Sequence, residues 1–324
     1  MNIGETILAI HDLHVEFPIS IGTVRAVQGV DLELKKGEVM GLVGESGCGK
    51  STLGFSILRL LRPPGTISGG EILYLGRDIV RMDASELLKL RGTKIAMIFQ
   101  DPLTSLNPLF SIGEHFVETI RTHEKGMSRK DALAQAGNML ESLGIARDRL
   151  DEYPHQMSGG MRQRIMIGLA LIMNPDLLIA DEPTTALDVI VEAQFLDLLN
   201  DLKNRFDLTI ILITHNLGNV AQLSDRITVM YGGTIAEVAP AGSLFENPLH
   251  PYTCGLLASI PNIKLDQPRL MTMPGSPPDL VTPPSGCVFH PRCPRAMSLC
   301  RVQRPPVFVR GEHHVSCWLY KDES

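Results

Sequence analysis

Gly44 to Thr52 reads "GESGCGKST". The apolar run "VMGLV" (Val39–Val43) before it has the length and composition of a short buried strand. After it, "LGFSILRLLR" carries apolar residues at helical spacing until "RPPG" stops the pattern. A strand, a glycine loop and a helix start together make a phosphate cradle, because an anion there meets loop amides and the positive end of the helix dipole. Lys50 adds a full charge for the β- and γ-phosphates, and the Ser51 hydroxyl can ligate the accompanying magnesium. A turn that happens to hold three glycines is the plain alternative. The complete G-x-x-x-x-G-K-[ST] pattern between strand and helix decides against it. Gly44, Glu45, Ser46, Gly47, Cys48, Gly49, Lys50, Ser51 and Thr52 are therefore the first candidates for nucleotide contact. Cys48 is expected mainly to fill a tight turn, with its thiol biased toward thiolate by Lys50 and the helix start.

The 324 residues suffice for one large domain and a smaller one. A net charge of −6 argues against broad binding to a nucleic-acid backbone. The longest apolar run, "IMIGLALIM" (Ile165–Met173), falls far short of the ~20 residues of a membrane span. The N-terminal "MNIGETILAIHDLHVEF" lacks a basic region followed by an apolar core, so no secretory signal is expected.

Strand-like and helix-like segments alternate up to about residue 240, which predicts an α/β fold with a largely parallel sheet. Strands are expected at "ILAIHDLHVEF", "VMGLV", "KIAMIFQ", "LLIAD" and "TIILITH". The last three are apolar runs that end on Gln100, Asp181 and His215, as buried strands do when they deliver side chains to a crevice at their carboxyl ends. Between Ser111 and Pro154, "EHFVETI" and "RKDALAQAGNMLESLG" predict a helical insertion. Past Pro240 the composition changes. Eleven of the 22 prolines fall between Pro261 and Pro306, which excludes long helices there.

Two further motifs carry chemistry. "LLIADEP" (Leu177–Pro183) ends an apolar strand in two carboxylates, so Asp181 can hold magnesium and Glu182 can deprotonate a water beside a γ-phosphate. An acid that merely caps the next helix is the alternative. "HQMSGGMRQR" (His155–Arg164) places Ser158, Gly159 and Gly160 at a helix start as a second anion site, although alone it reads better as an ordinary serine N-cap with a glycine turn.

"GESGCGKS", "IFQDP", "MSGGMRQR", "LLIADEP", "TALD" and "LITH" occur in the order and spacing of the ATP-binding cassette family, which residues 7 to 240 resemble. The resemblance implies a P-loop NTPase cassette with a RecA-like core, an antiparallel β subdomain and a helical subdomain, followed by a small Cys/Pro-rich C-terminal extension. The nucleotide-binding domain would cover residues 1–245, its helical subdomain about 111–165, and the extension 246–324. It implies ATP and Mg2+ as ligands, with Ser51, Gln100 and Asp181 at the metal. Glu182 would be the catalytic base, Gln100 the glutamine that contacts magnesium and senses a membrane partner, and His215 the switch residue at the γ-phosphate. Ser158, Gly159 and Gly160 would close on ATP held by a partner cassette, Asp188 would lie at the dimer interface, and Phe17 would stack on adenine. Met161 and Asn216 depart from the commoner glutamine and aspartate, and neither change removes a phosphate donor, the base or a metal ligand.

"FQDPLTSLNP", "NPLHPYT" (Asn247–Thr253) and "GCVFHPRCPRAMSLC" extend the resemblance over the whole chain, to the ATPase subunits of oligopeptide and dipeptide importers. Nickel, glutathione and sugar-oligomer importers share these features. The implied partners are two transmembrane permeases, a second related ATPase or another copy of this chain, and indirectly an external solute-binding protein. The implied place is the cytoplasmic face of the membrane, peripherally. A soluble cassette acting on nucleic acid or ribosomes is the competing class. It would typically show coiled-coil insertions, tandem cassettes or basic tails, and the sequence has none. A silent regulatory cassette would lack Lys50, Glu182 or His215.

Cys287, Cys293, Cys300 and Cys317 crowd the end of the chain, while Cys48 and Cys254 stand alone. In a reducing compartment such a cluster points to metal rather than disulfides. The spacing C-x5-C-x6-C-x16-C is looser than the paired C-x2-C of structural zinc, and four thiolates suit zinc or a [4Fe–4S] cluster. The importer resemblance tips the expectation toward the cluster.

Overall fold

Two long strands, β1 (Thr6–Ile19) and β2 (Gly22–Lys35), fold back on each other as an antiparallel hairpin whose register runs from Thr6↔Lys35 to Ile19↔Gly22. They belong to a computed structural model of the protein that describes residues 4–100, 106–184, 188–259 and 273–323. The chain divides into two units, Met1–Arg81 with Leu212–Ser324, and Met82–Ile211.

In the first unit, β4 (Thr66–Tyr74) pairs with the free side of β1 and β5 (Arg77–Asp78) closes an antiparallel sheet in the order β2-β1-β4-β5. Leu8, Ile10, Leu13 and Val15 of β1 are all buried, the inward side of a half-covered strand. A second ladder begins at β3 (Val39–Val43), which lies parallel to β9 (Arg226–Tyr231) with Met40↔Arg226 and Val43↔Val229 in register. β9 turns through Gly232 and Gly233 into β10 (Thr234–Pro240), an antiparallel partner. The C-terminal hairpin β11 (Phe308–Arg310) and β12 (His313–Val315) continues this ladder, β12 pairing with β10. This C-terminal hairpin thus adds two strands to the ladder of β3, β9 and β10.

The helix after the glycine loop, α1, covers Lys50–Ile57 and stops before "RPPG". Arg59 adopts φ 49 and the Leu60 amide bonds the Phe55 carbonyl at 2.8 Å, which closes the helix early. Between β8 (Thr209–Ile213), within which the chain passes from the second unit to the first, and Ser259 lie three helices. They are Leu217–Leu223, Ala241–Glu246 and Pro251–Ala258. Between Met273 and Pro306 the described residues form a single short helix, Ser298–Val302.

A buried carboxylate ties β10 to the segments at Leu249–His250 and His313. Glu237 of β10 is fully buried and accepts from the Leu249 and His250 amides at 3.0 and 2.9 Å and from His313 Nδ1 at 2.8 Å. His250 in turn caps the helix Pro251–Ala258, its Nδ1 accepting from the Tyr252 amide at 3.0 Å. Burial pulls the His250 imidazole down to about 4, so it stays neutral and keeps that acceptor.

In the second unit, β6 (Ile95–Ile98) runs parallel to β7 (Leu177–Asp181). The expected helical insertion consists of Ile112–His123 and Arg129–Ser142. Ser111 and Glu114 cap the first of these reciprocally, and Ser128 caps the second. Gly159–Leu171 and Val189–Phe206 complete the helices used below. Among the described residues, no helix is long and apolar enough to cross a membrane.

Candidate functional site

β3 is buried along its whole length and delivers the chain into the loop at Gly44. Gly44 and Gly49 take φ 154 and 104, which L side chains rarely adopt. A Cβ would meet the Met230 carbonyl oxygen at 2.2 Å from Gly44, and that of Ala26 at 2.3 Å from Gly49. Two of the three glycines are therefore demanded by close packing of the loop against its own unit. Gly49 is the N-cap of α1 and supplies no capping side chain.

Lys50 is 5% exposed, and its ammonium donates to the carbonyls of Gly44 and Glu45 at 2.8 and 3.0 Å. Its charge and the helix amides converge on one concave loop, the chemistry a polyphosphate requires. Ser51 and Thr52 follow on the first turn. Cys48 departs from the thiolate expectation. It is buried, and burial pushes its thiol up, an effect that Lys50 only partly offsets. The residue fills space behind the loop.

Two other expected contacts lie in the same unit. His215 is exposed, just past Thr214, whose amide bonds the Leu42 carbonyl of β3 at 3.2 Å. Asn216 caps the next helix through the Gly218 amide at 3.0 Å, so the departure from aspartate keeps the capping function. Phe17 is partly exposed near the end of β1, with its ring against Gly65.

The second unit holds the acids. Asp181 ends the buried β7 and is 1% exposed, while Glu182 adopts φ 44. A left-handed glutamate is costly, and such conformations persist where the surroundings enforce them. Here Gln100 Nε2 donates to Glu182 Oε2 at 2.8 Å, and the buried Gln163 Nε2 bonds the Pro183 carbonyl. Gln100 and Glu182 are thus brought together. Gln163 lies outside the residues that the sequence motifs point to. Its signal is a polar side chain inside the apolar helix that begins at Gly159.

Ser158 caps that helix, its Oγ accepting from the Met161 amide at 3.3 Å. Asp188 caps Val189–Phe206 through the Ile190 and Val191 amides. Both caps, with Gly159 and Gly160, line one cavity of about 660 Å³. Asp101 and Pro102 of "IFQDP" and Thr185–Leu187 of "TALD" lie outside the described residues.

Comparisons with known proteins give the family. The family model described as ABC transporter matches residues 27–185, and that described as "Oligopeptide/dipeptide transporter, C-terminal region" matches 236–300. The dipeptide transport ATP-binding protein DppD of Bacillus subtilis is 48% identical over 97% of this chain and 95% of its own length. This chain belongs to the ABC transporter ATP-binding proteins. The oligopeptide transport ATP-binding protein OppD of Salmonella typhimurium is 47% identical over 94% of this chain and 90% of its own. Among solved structures, the ABC cassette MJ0796 in a dimeric post-hydrolysis state with ADP and Pi superposes with a TM-score of 0.64 at 27% identity, over 72% of this chain and 98% of that one. The ABC protein binds ATP and hydrolyses it in the service of transport.

Proposed function

We propose that this ABC ATPase powers the uptake of peptides or a closely related solute through two membrane permeases, on the cytoplasmic face of the membrane. The observation that carries the reading is that similarity to peptide-transport ATP-binding proteins runs through cassette and extension alike. The second ATPase is a related subunit or another copy, and an external solute-binding protein supplies the cargo. The nucleotide-binding domain takes residues 1–245 and the extension 246–324. Deleting the chain from its host and restoring it as wild type or Glu182→Gln, with uptake of labelled di- to pentapeptides as the readout, tests the proposal. Uptake restored only by wild type is expected. Undiminished peptide uptake without the chain would remove peptides as cargo.

In the mechanism, the loop amides from Gly44 to Thr52 and the Lys50 ammonium bind the phosphates. Ser51, Asp181 and Gln100 have the oxygen donors that magnesium prefers, and a bound ion would offset charge on the phosphate oxygens. Glu182 accepts a proton from the attacking water at its carboxylate, which the Gln100 amide keeps oriented. His215 contacts the γ-phosphate, Phe17 the adenine. Ser158, Gly159, Gly160 and Asp188 serve the nucleotide of the partner cassette.

The four clustered cysteines are a separate centre. A tetrahedral zinc with bonds near 2.3 Å needs sulfurs about 3.8 Å apart. Among the described residues, no three His, Cys, Asp or Glu side chains are gathered closely enough to hold a metal ion. Burial, first of all, pushes the Cys317 thiol up to about 12, and the other three cysteines add to it. Four thiolates suit a [4Fe–4S] cluster or zinc, and on the importer resemblance we assign the cluster to Cys287, Cys293, Cys300 and Cys317. Anaerobically purified protein is expected to be brown and to contain iron and sulfide, both lost on Cys293→Ser. Colourless protein with one zinc per chain would replace the cluster by zinc, and metal-free protein would remove both.

A further inference from the structure

Glu45, the first residue after Gly44, is held by the C-terminal extension at both its backbone and its side chain. Its amide donates to Tyr252 Oη at 2.9 Å. Its carboxylate accepts two hydrogen bonds from Arg292, Nη1 to Oε2 at 2.7 Å and Nη2 to Oε1 at 3.0 Å. This is the forked pairing that only arginine provides. Arg292 is itself over-determined. Its Nε donates to the Pro274 carbonyl at 2.9 Å, its Nη1 also reaches Tyr231 Oη at 3.2 Å, and the guanidinium lies 5.7 Å from the Tyr231 ring centroid. The Arg292 side chain is 7% exposed and that of Glu45 23%. Tyr231, Tyr252 and Phe289 pack ring against ring beneath the pair, with centroids 4.5 to 5.4 Å apart.

The remaining polar group of Glu45 is its carbonyl, which accepts from Lys50 Nζ at 3.0 Å. One loop residue therefore joins the extension to the lysine that meets the phosphates. The charge logic is equally direct. A glutamate in a loop that binds a polyanion repels its ligand unless a cation neutralises it and turns it away.

We propose that Arg292 and Tyr252 are positioning residues of the nucleotide site, which hold Glu45 so that the loop amides and Lys50 face the phosphates. ATP affinity then depends on the extension. The inference rests on the reading of Gly44–Thr52 as the ATP site.

The test is titration of the full chain with Mg-ATP by calorimetry, together with steady-state ATPase kinetics. Arg292→Met should weaken ATP binding about tenfold, the order expected when a half-buried carboxylate loses a charged partner, and raise KM while kcat changes less than about twofold. Tyr252→Phe removes only the hydroxyl and should weaken binding about threefold. Glu45→Gln in the Arg292→Met background removes the unneutralised charge and should recover most of the lost affinity, which a merely structural role for Arg292 would not predict. If Arg292→Met fails to fold, Arg292→Lys keeps the charge without the fork and should show a smaller shift in the same direction. Wild-type affinity in the folded Arg292 variant overturns the proposal, and so does an equal loss in Arg292→Met and the double variant. Lys50→Ala distinguishes this from failure of the underlying reading, because undiminished ATP binding there would dismiss the loop as the ATP site.

Discussion

Glu182→Gln is expected to slow ATP hydrolysis by about 10²–10⁴-fold, the range ascribed to a general base, while ATP binding stays intact. The geometry favours so clean a separation. The Glu182 carboxylate accepts from Gln100 Nε2 at 2.8 Å, and a glutamine side chain can offer its carbonyl oxygen to the same donor. The strained turn at Glu182 is retained too, since the Gln163 bond to the Pro183 carbonyl does not involve the substituted side chain. What disappears is the capacity to take a proton. Turnover of the variant, assembled with its partner subunits, is the measurement. A wild-type rate would return Glu182 to the role of a structural acid.

Lys50→Ala acts on the other half of the reaction and should reduce ATP affinity by roughly 10²–10³-fold, since truncating one member of a buried charged contact costs 2–5 kcal/mol or more. The effect has two parts. The phosphates lose their nearest full positive charge, and the Gly44 and Glu45 carbonyls lose the ammonium that now ties the loop together. Calorimetric titration with Mg-ATP measures the sum. Lys50→Arg keeps the charge but not the compact ammonium and should recover only part of the affinity.

Much of this site is legible in the sequence because its parts are local. "GESGCGKST" is a contiguous loop whose glycines, lysine and serine each have one reason to be there, and "LLIAD" is a buried strand that has to end on its acid. β3 and β7 coincide with the expected runs for the same reason. The hairpin of β9 and β10 lies outside the expected strands, although two apolar runs flank Gly232-Gly233. β4 was harder, because Gly69 and Gly70 interrupt it. What the sequence conceals is long-range pairing. Gln100 and Glu182 are 82 positions apart, Arg292 and Glu45 are 247 apart, and Glu237 finds His313 across 76. Each partner looks like an ordinary polar residue until the chain is folded. Cys48 shows the reverse failure, since nearby charge suggested a reactive thiol and burial outweighs it.

The apolar cluster that unites Val229 and Tyr231 of β9 with Tyr252, Val288 and Phe289 has a bearing on how such proteins can be rebuilt. Among the described residues the cluster leaves no seam at which the last eighty or so residues could be cut away and exchanged for those of a relative. A chimera joined near Pro240 would inherit one half of an interlocked aromatic core and would have to match the ring positions of the other. Swapping cargo systems by trading tails therefore requires moving β9, β10 and Glu45 with the tail, as one hereditary block.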